Sequence, residues 1–515
     1  MATNDGAPNA QSGSSNGWTV ARLRRSTEPH VSTPRTVPGS CAHSDSPSTT
    51  HNNHIHAMES PITPAAVGEA PPVFRINLSL PPSERYVELA RSYRDRMRAL
   101  RGMFDELIHG ISPKIPVKGV HWLARLSLRR LYADEETDEL HGISRVTDID
   151  MYLLICLNTV LDLLMGCTSG GVRTKSGSQL TMLHFRTLDW GMDPLRDLIV
   201  QLEFVRNDDP EKVLATSITY VGYVGVLTGV RQDLSMSLNF RPVHDESRNL
   251  AFYTNHLLVL LGMRQSVSSL LRECLFSFPS EPRPRKNPLS TLEQIVAHVP
   301  SMPTTAVYLI FSDGITTVTM EKDHRTAIVR SSPSFIIVTN HDQQPGSASP
   351  KAVADEKRKN HVGLSLISPD GQVMADLIED SNERRDCMQT RWNEKVQQAI
   401  HAKEDALKKI TAHIDQLDQP QGSRSSMRLR KKREEEAEEA ERLRASMRVA
   451  ADDSVAVTKK EAISWLTTFP VLNETTHYAT IMDPSKGKVA WVRRFDPDEW
   501  EEANESASDS GVVIL

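Results

Sequence analysis

The chain has 515 residues, 39% of them hydrophobic and 24% charged, and carries a formal net charge of −6. That length has room for two or three ordinary domains and a large buried core. The mildly acidic balance gives no reason to expect a nucleic-acid partner, and the basic run RLRKKR (428–433) is followed at once by EEEAEEAE, so their fields largely cancel.

Five cysteines (Cys41, Cys156, Cys167, Cys274, Cys387) at wide spacing make a poor disulfide framework, and no CxxC or Cys/His spacing suggests zinc. No metal and no cofactor is expected; His51, His54 and His56 lie together, but in a polar, loop-like segment. The N-terminus has no charged stretch leading into an apolar one, so it does not read as a secretory signal. The longest apolar run, MYLLICLNTVLDLLMG (151–166), is broken by Asn158 and Asp162 and falls short of the roughly 20 apolar residues that span a bilayer. A cytoplasmic or peripheral membrane location is the expectation, with a lysosome- or vacuole-like compartment as the alternative. Sequons at Asn77, Asn473 and Asn504 would matter only in a secretory route.

In chain order, residues 1–70 are rich in Ser, Thr, Pro, Asn and His and are expected to be a disordered tail. FRINLSL then alternates like a strand. Two prolines and Ser83 give a helix start, and YVELARSYRDRMRALRGMFDELI continues it at helical period. The stretch from VHWLARL to LDLLM reads as several amphipathic helices, which makes 71–166 a helical N-terminal region. From Cys167 short β-rich runs take over: QLTMLHFRTLDW, LIVQLEFVR, ATSITYVGYVGVLTG, LSMSLNFRPV, TAVYLIFSDGITTVTMEK and SFIIVTN. Two helical stretches, NLAFYTNHLLVLLGMRQSVSSLLREC and STLEQIVAHV, sit between them. Residues 341–455 look like an insert, a polar loop plus a charge-dense helix with few apolar positions. KKEAISWLTTF, THYATIMD and KVAWVRRF, a helix and a strand pair, complete a 167–500 region before a loose tail at 501–515.

The chemistry centres on LLMGCTSGG (163–171). A cysteine after an apolar run is commonly a packing residue. If the chain were cut between Gly166 and Cys167, however, Cys167 would carry both a nucleophile and, in its free α-amine with an ordinary pKa of about 8, a base. Such an amine needs a carboxylate to orient it, and the developing oxyanion needs donors. HFRTLDWG supplies Arg186 and Asp189 on the next strand; they stand an odd number of residues apart, so a local bend is expected if both face the site. Thr339-Asn340 ends a later apolar strand with an amide donor. His184, His244 and His341 have no accompanying motif for a Cys-His dyad. Gly222, Gly225 and Gly229 lack the Lys-Ser/Thr that would follow a phosphate loop.

These residues carry a family resemblance. CTS (167–169), FRTLDWG, YVGYVGVLTGVR, SLNFRPV, VTNHD and PVLNETTHYATIMD, in that order, resemble the acid ceramidase and N-acylethanolamine-hydrolysing acid amidase group. That group lies within the N-terminal-nucleophile, choloylglycine-hydrolase-like cysteine amidases. The likeness covers roughly 71–340 and 455–495. It implies an α+β, four-layer αββα hydrolase fold and a precursor that cleaves itself after Gly166 into alpha and beta chains. Cys167 would be the nucleophile, Arg186 and Asp189 the paired residues beside it, and Asn340 a member of the oxyanion hole. Arg384, in NERRDC, matches a later arginine, with Arg385 as competitor. Phe240 stands where ceramidase-like members have glutamate, so a backbone contribution to substrate binding is expected there. The lysosomal members' signal peptide and interchain disulfides are not evident in this sequence. The implied activity is hydrolysis of the N-acyl amide of ceramide. N-acylethanolamines or other N-acyl amines are alternative substrates, and an unprocessed, non-catalytic lipid-binding scaffold is the alternative of another class. A lipid amide, and possible membrane-surface contact, are the expected partners.

Overall fold

A computed structural model of the chain describes residues 68–98, 100–102, 104–105, 116–160, 166–242, 249–276, 290–343, 372–418, 427–448 and 455–496. The tail 1–67, the polar loop 344–371 and the stretch 497–515, with Cys41, His51, His54, His56, His244 and Asn504, lie outside the described residues.

The architecture is α+β and rests on two sheets. The larger has eight strands in the order β1 (Val73–Asn77), β4 (Ile199–Val205), β5 (Ala215–Tyr220), β6 (Thr228–Arg231), β7 (Leu234–Phe240), β8 (Val307–Ser312), β9 (Thr317–Lys322) and β10 (Ala327–Ser332). The smaller has five: β11 (Phe335–Val338), β2 (Gly166–Ser176), β3 (Gln179–Asp189), β12 (Thr476–Asp483) and β13 (Lys488–Arg494). Strand β2 thus starts one residue before the cysteine, and FRINLSL supplies β1, which lies parallel to β4 at the edge of the larger sheet. Strand β10 is an addition to the sequence reading: its half-exposed pattern dilutes the apolar signal, and pairing with β9 defines it.

The long helix expected from Ser83 instead opens with three short pieces, Pro82–Arg85, Val87–Ser92 and Arg94–Met97. Each break falls on a tyrosine, Tyr86 or Tyr93, at φ near −105° and ψ near 0°, the sparsely allowed bridge region. Both rings are buried, so core packing overrides helical propensity there. Helices α1 (Val117–Ser127), α2 (Asp134–Thr147) and α3 (Met151–Val160) follow. Between β7 and β8 come α4 (Asn249–Leu260), α5 (Val267–Phe276) and α6 (Thr291–His298). Gly262 separates α4 from α5 at φ +67°, where a Cβ would come within 2.5 Å of the Arg130 carbonyl oxygen. Ser290 and Glu293 form a capping box that starts α6.

Packing sorts the faces. Helix α5 lies against β6 and β7 of the larger sheet. On the outer side of the smaller sheet, Val172, Leu183, Phe185, Ile337 and Ile481 meet Met388 and Trp392 of α7 (Gln372–Asp418). Ile463, Trp465 and Leu466 of α9 (Lys459–Leu466) join the same cluster. Helix α7 therefore belongs to the core for part of its length, although the sequence places it in an insert. Helix α8 (Met427–Arg448) runs beside α7, and its described side chains are mostly exposed.

Between the sheets the contacts are largely polar. Ser169 donates to Asn239 Oδ1 at 2.7 Å, the His184 ring bonds Ser235 (3.0 Å) and Ser237 (2.9 Å), and the Thr228 and Tyr478 hydroxyls meet at 2.7 Å. Gly171 of TSGG lets the layers approach, since a Cβ there would run into Thr317 of β9; Gly170 faces the other side, where a Cβ would meet the Ile336 carbonyl and the Phe185 ring.

The segment before Cys167 is tied to the rest by β1 and by a buried ion network. Arg272 of α5 grips Glu139 of α2 with two bonds (2.6 and 2.7 Å) and donates to the Val224 carbonyl, while Arg85 also reaches Glu139 at 3.0 Å. Removing one partner of such a pair leaves an uncompensated buried charge. Glu139→Gln should therefore lower unfolding free energy by about 3–5 kcal/mol in urea titrations, and a Glu139→Met, Arg272→Met double variant should recover part of it. A loss below about 1 kcal/mol for the single variant would mean that the network is not the tie described.

Candidate active site

Cys167 is the second residue of β2 and has no exposed surface. Its antiparallel partner on β3 is Leu188, with Ser169 opposite Arg186 and Gly171 opposite His184. Strand alternation therefore turns Cys167, Ser169, His184, Arg186 and Leu188 toward the larger sheet. Arg186 Nη2 donates to Cys167 Sγ at 3.3 Å, while Nη1 bonds the Leu227 carbonyl. The guanidinium lies 6.0 Å from the Tyr478 ring centroid. Burial pushes the Cys167 thiol up from its ordinary value, and the positive charge of Arg186 is the largest influence pulling it down.

The nitrogen of the same residue is held from another direction. The Cys167 backbone N–H donates to Asn340 Oδ1 at 2.8 Å. Strand β11 pairs with β2 up to Val338↔Ser169, so continuing that register sets Asn340 opposite Cys167. The ladder ends there with a side-chain oxygen in place of a backbone carbonyl. Arg384 of α7 donates through Nη2 to the same Oδ1 at 3.1 Å and through Nη1 to Asp189. Asp189 also accepts from Thr476 Oγ1 at 2.8 Å. Asn340 Nδ2 donates to the Phe240 carbonyl at 2.8 Å. A Cβ on Gly166 would lie 3.3 Å from that of Asp189, a tight contact.

The structure thus brings Cys167, Arg186, Asp189, Asn340, Arg384 and the Phe240 backbone together. It also resolves their spacing differently from the expected bend. Arg186 and Asp189 take opposite faces of β3: one meets the sulfur, and the other joins Arg384 on the side of α7. Arg384 is buried, whereas Arg385 is half-buried and bonds neither Asp189 nor Asn340. The sequence reading did not single out Ser381, Thr476 or Tyr478. Ser381 stands one helical turn before Arg384, and the other two lie inside the quoted PVLNETTHYATIMD, so position was the available signal. Among the described residues no group of three or more His, Cys, Asp or Glu could hold a metal ion. A groove of about 920 Å³ lined by Lys175, Leu180, Lys395 and Val455 lies far along β2, about 26 Å from Cys167 at strand rise.

A family model described as the beta subunit of N-acylethanolamine-hydrolyzing acid amidase matches residues 69–132, which precede Cys167. The chain is 28% identical over 228 residues to N-acylethanolamine-hydrolyzing acid amidase of Caenorhabditis elegans, covering 42% of this chain and 59% of that protein. It is 30% identical over 190 residues to acid ceramidase of Homo sapiens, covering 33% and 46%. These matches make the chain similar to the acid ceramidase and N-acylethanolamine-hydrolysing acid amidase family. Its likeness spans about half the length of these two named relatives. An uncharacterised protein of Acanthamoeba polyphaga mimivirus is matched over 89% of its length at 22% identity.

The polar layer around this site has a pH consequence. Burial and then the Arg186 charge lower His184 to about 3, so the ring is neutral in the folded chain. The unfolded chain binds a proton at this residue near 6.5, so the contribution to stability is complete above about pH 6.5 and is lost toward about pH 3. His184→Gln should flatten the fall of unfolding free energy between about pH 7 and about pH 5, and an unchanged slope would contradict this.

Proposed function

We propose that the chain is an N-terminal-nucleophile amidase that hydrolyses the N-acyl amide bond of ceramide, with N-acylethanolamines or other N-acyl amines as alternative substrates. The observation that carries the reading is the double hold on Cys167: Arg186 on its sulfur, and Asn340, backed by Arg384 and Asp189, on its nitrogen.

In the proposed maturation, the Cys167 thiol attacks the Gly166 carbonyl carbon. The C–S bond forms, the Gly166–Cys167 C–N bond breaks, and the proton passes to nitrogen; water then hydrolyses the thioester and frees Gly166 as a carboxylate. The new α-amine, beside Asn340, serves as the base. In turnover the sulfur attacks the lipid amide carbonyl, and the α-amine takes the thiol proton and passes it to the leaving amine. Asn340 with backbone N–H groups, including the one expected from Phe240, holds the oxyanion. Water then releases the fatty acid. Arg186 favours the thiolate against burial, and Asp189 with Arg384 fixes the amine end.

The fold proposed with this chemistry is the four-layer αββα arrangement, supported by α5 on one sheet and α7 with α9 on the other. The regions proposed are 71–166 and 167–500, with an insert at about 341–455. Membrane-surface contact is supported by exposed Trp122, Leu123 and Leu126 on α1 and Leu250, Tyr253 and Leu257 on α4; both helices pack on α3. A peripheral membrane or cytoplasmic site of action is proposed, with a lysosome- or vacuole-like one as alternative. Phe240 and the full burial of Cys167 favour a second reading, an unprocessed lipid-binding scaffold.

Fatty-acid release from ceramide and from palmitoylethanolamide separates these readings. Release should be faster from ceramide, absent in Cys167→Ala, and lowered about 100-fold in Asn340→Ala. Lipid binding without release from either amide at any pH would contradict the amidase and support the scaffold.

A further inference from the structure

Asn340 has contacts on both its side chain and its backbone, and the two demand opposite chemistry. Its Oδ1 is an acceptor and is met by the Arg384 guanidinium, which can only donate. Its backbone N–H leaves the β2–β11 ladder and needs an acceptor, which no arginine can supply. That acceptor is Ser381 Oγ, at 2.7 Å. The same hydroxyl bonds His341 Nδ1 at 2.8 Å, and Thr339 Oγ1 lies 3.1 Å from that nitrogen.

Ser381 is fully buried. It precedes Arg384, Met388 and Trp392 at steps of three, four and four, the spacing of one helix face. Met388 and Trp392 are locked into the core beneath the smaller sheet. The acceptor and the donor that frame Asn340 therefore ride on one rigid, anchored helix.

We propose that Ser381 is a positioning residue: by holding the backbone N–H of Asn340 it sets the direction of the Asn340 amide toward Cys167. The proposal rests on the amidase reading for its kinetic consequence and on the geometry alone for its structural one. Without the hydroxyl, a buried N–H is left unsatisfied. The turn 339–341 must then rotate to find another acceptor, carrying the amide away from Cys167.

The test pairs hydrogen-exchange mass spectrometry of peptides spanning 335–343 with steady-state kinetics, on the full chain. Ser381→Ala should speed exchange in those peptides about tenfold, leave peptides of β3 unchanged, and lower kcat about 10- to 100-fold with KM within about twofold. Ser381→Thr, which keeps the hydroxyl, should restore both. Ser381→Cys, a weaker acceptor of similar size, should fall between and serves if the alanine variant does not fold. In an Asn340→Ala background Ser381→Ala should cost no further activity. Unchanged exchange with kcat within about twofold of wild type, or an equal loss in the Asn340→Ala background, would overturn the proposal. Altered exchange in a protein with no turnover in any variant would instead sink the amidase reading and leave the positioning role standing.

Discussion

The arrangement depends on how strand β2 ends. A strand that simply continued its ladder would give the Cys167 N–H to a backbone carbonyl of its neighbour. Here the register runs out at Val338↔Ser169, two positions earlier, and Asn340 offers a side-chain oxygen at the position opposite Cys167. A side chain can answer to helix α7 through Arg384 and to strand β7 through the Phe240 carbonyl, which a ladder carbonyl could not. One residue thus has its nitrogen governed by a helix and its sulfur by Arg186 of the neighbouring strand.

That division explains why the smaller sheet is sandwiched as it is. The face of β3 bearing His184 and Arg186 has to meet the larger sheet closely, and Gly171, on the same face of β2, removes a side chain that would prevent it. The opposite face carries Leu183 and Phe185, which dock α7 and so place Arg384. The apolar packing of one face is the foundation for the polar contacts at its end. Short bonds between strands hold most of the buried polar layer, as a low-dielectric interior requires, although Arg186 Nε and His477 Nε2 find no partner. The layer depends on histidines held neutral.

Local features of the fold were legible in the sequence: the alternation of FRINLSL, the helical stretch STLEQIVAHV, and the change from helical to β-rich character at Cys167. The break of the first helix at Tyr86 and Tyr93 was not, because tertiary burial of those rings decides it. The residues Cys167, Arg186, Asp189 and Asn340 could be nominated from residue type and order along the chain. Their division between two faces could not, since period-two alternation says that Arg186 and Asp189 point apart without saying what waits on each side. Choosing Arg384 over Arg385 likewise needed the orientation of α7, which is fixed by Met388 and Trp392 deep in the core. Ser381 had only its place one turn before Arg384 as a signal; its meaning comes from a backbone N–H 41 residues earlier.

The central claim is that Cys167 becomes the first residue of a chain. N-terminal sequencing of the purified protein, after separation under denaturing conditions, tests it most directly. The account predicts a fragment beginning at Cys167 with a partner ending at Gly166, and only intact chain in Cys167→Ala. Intact chain alone from the unaltered protein, across the whole pH range in which it stays folded, would contradict it.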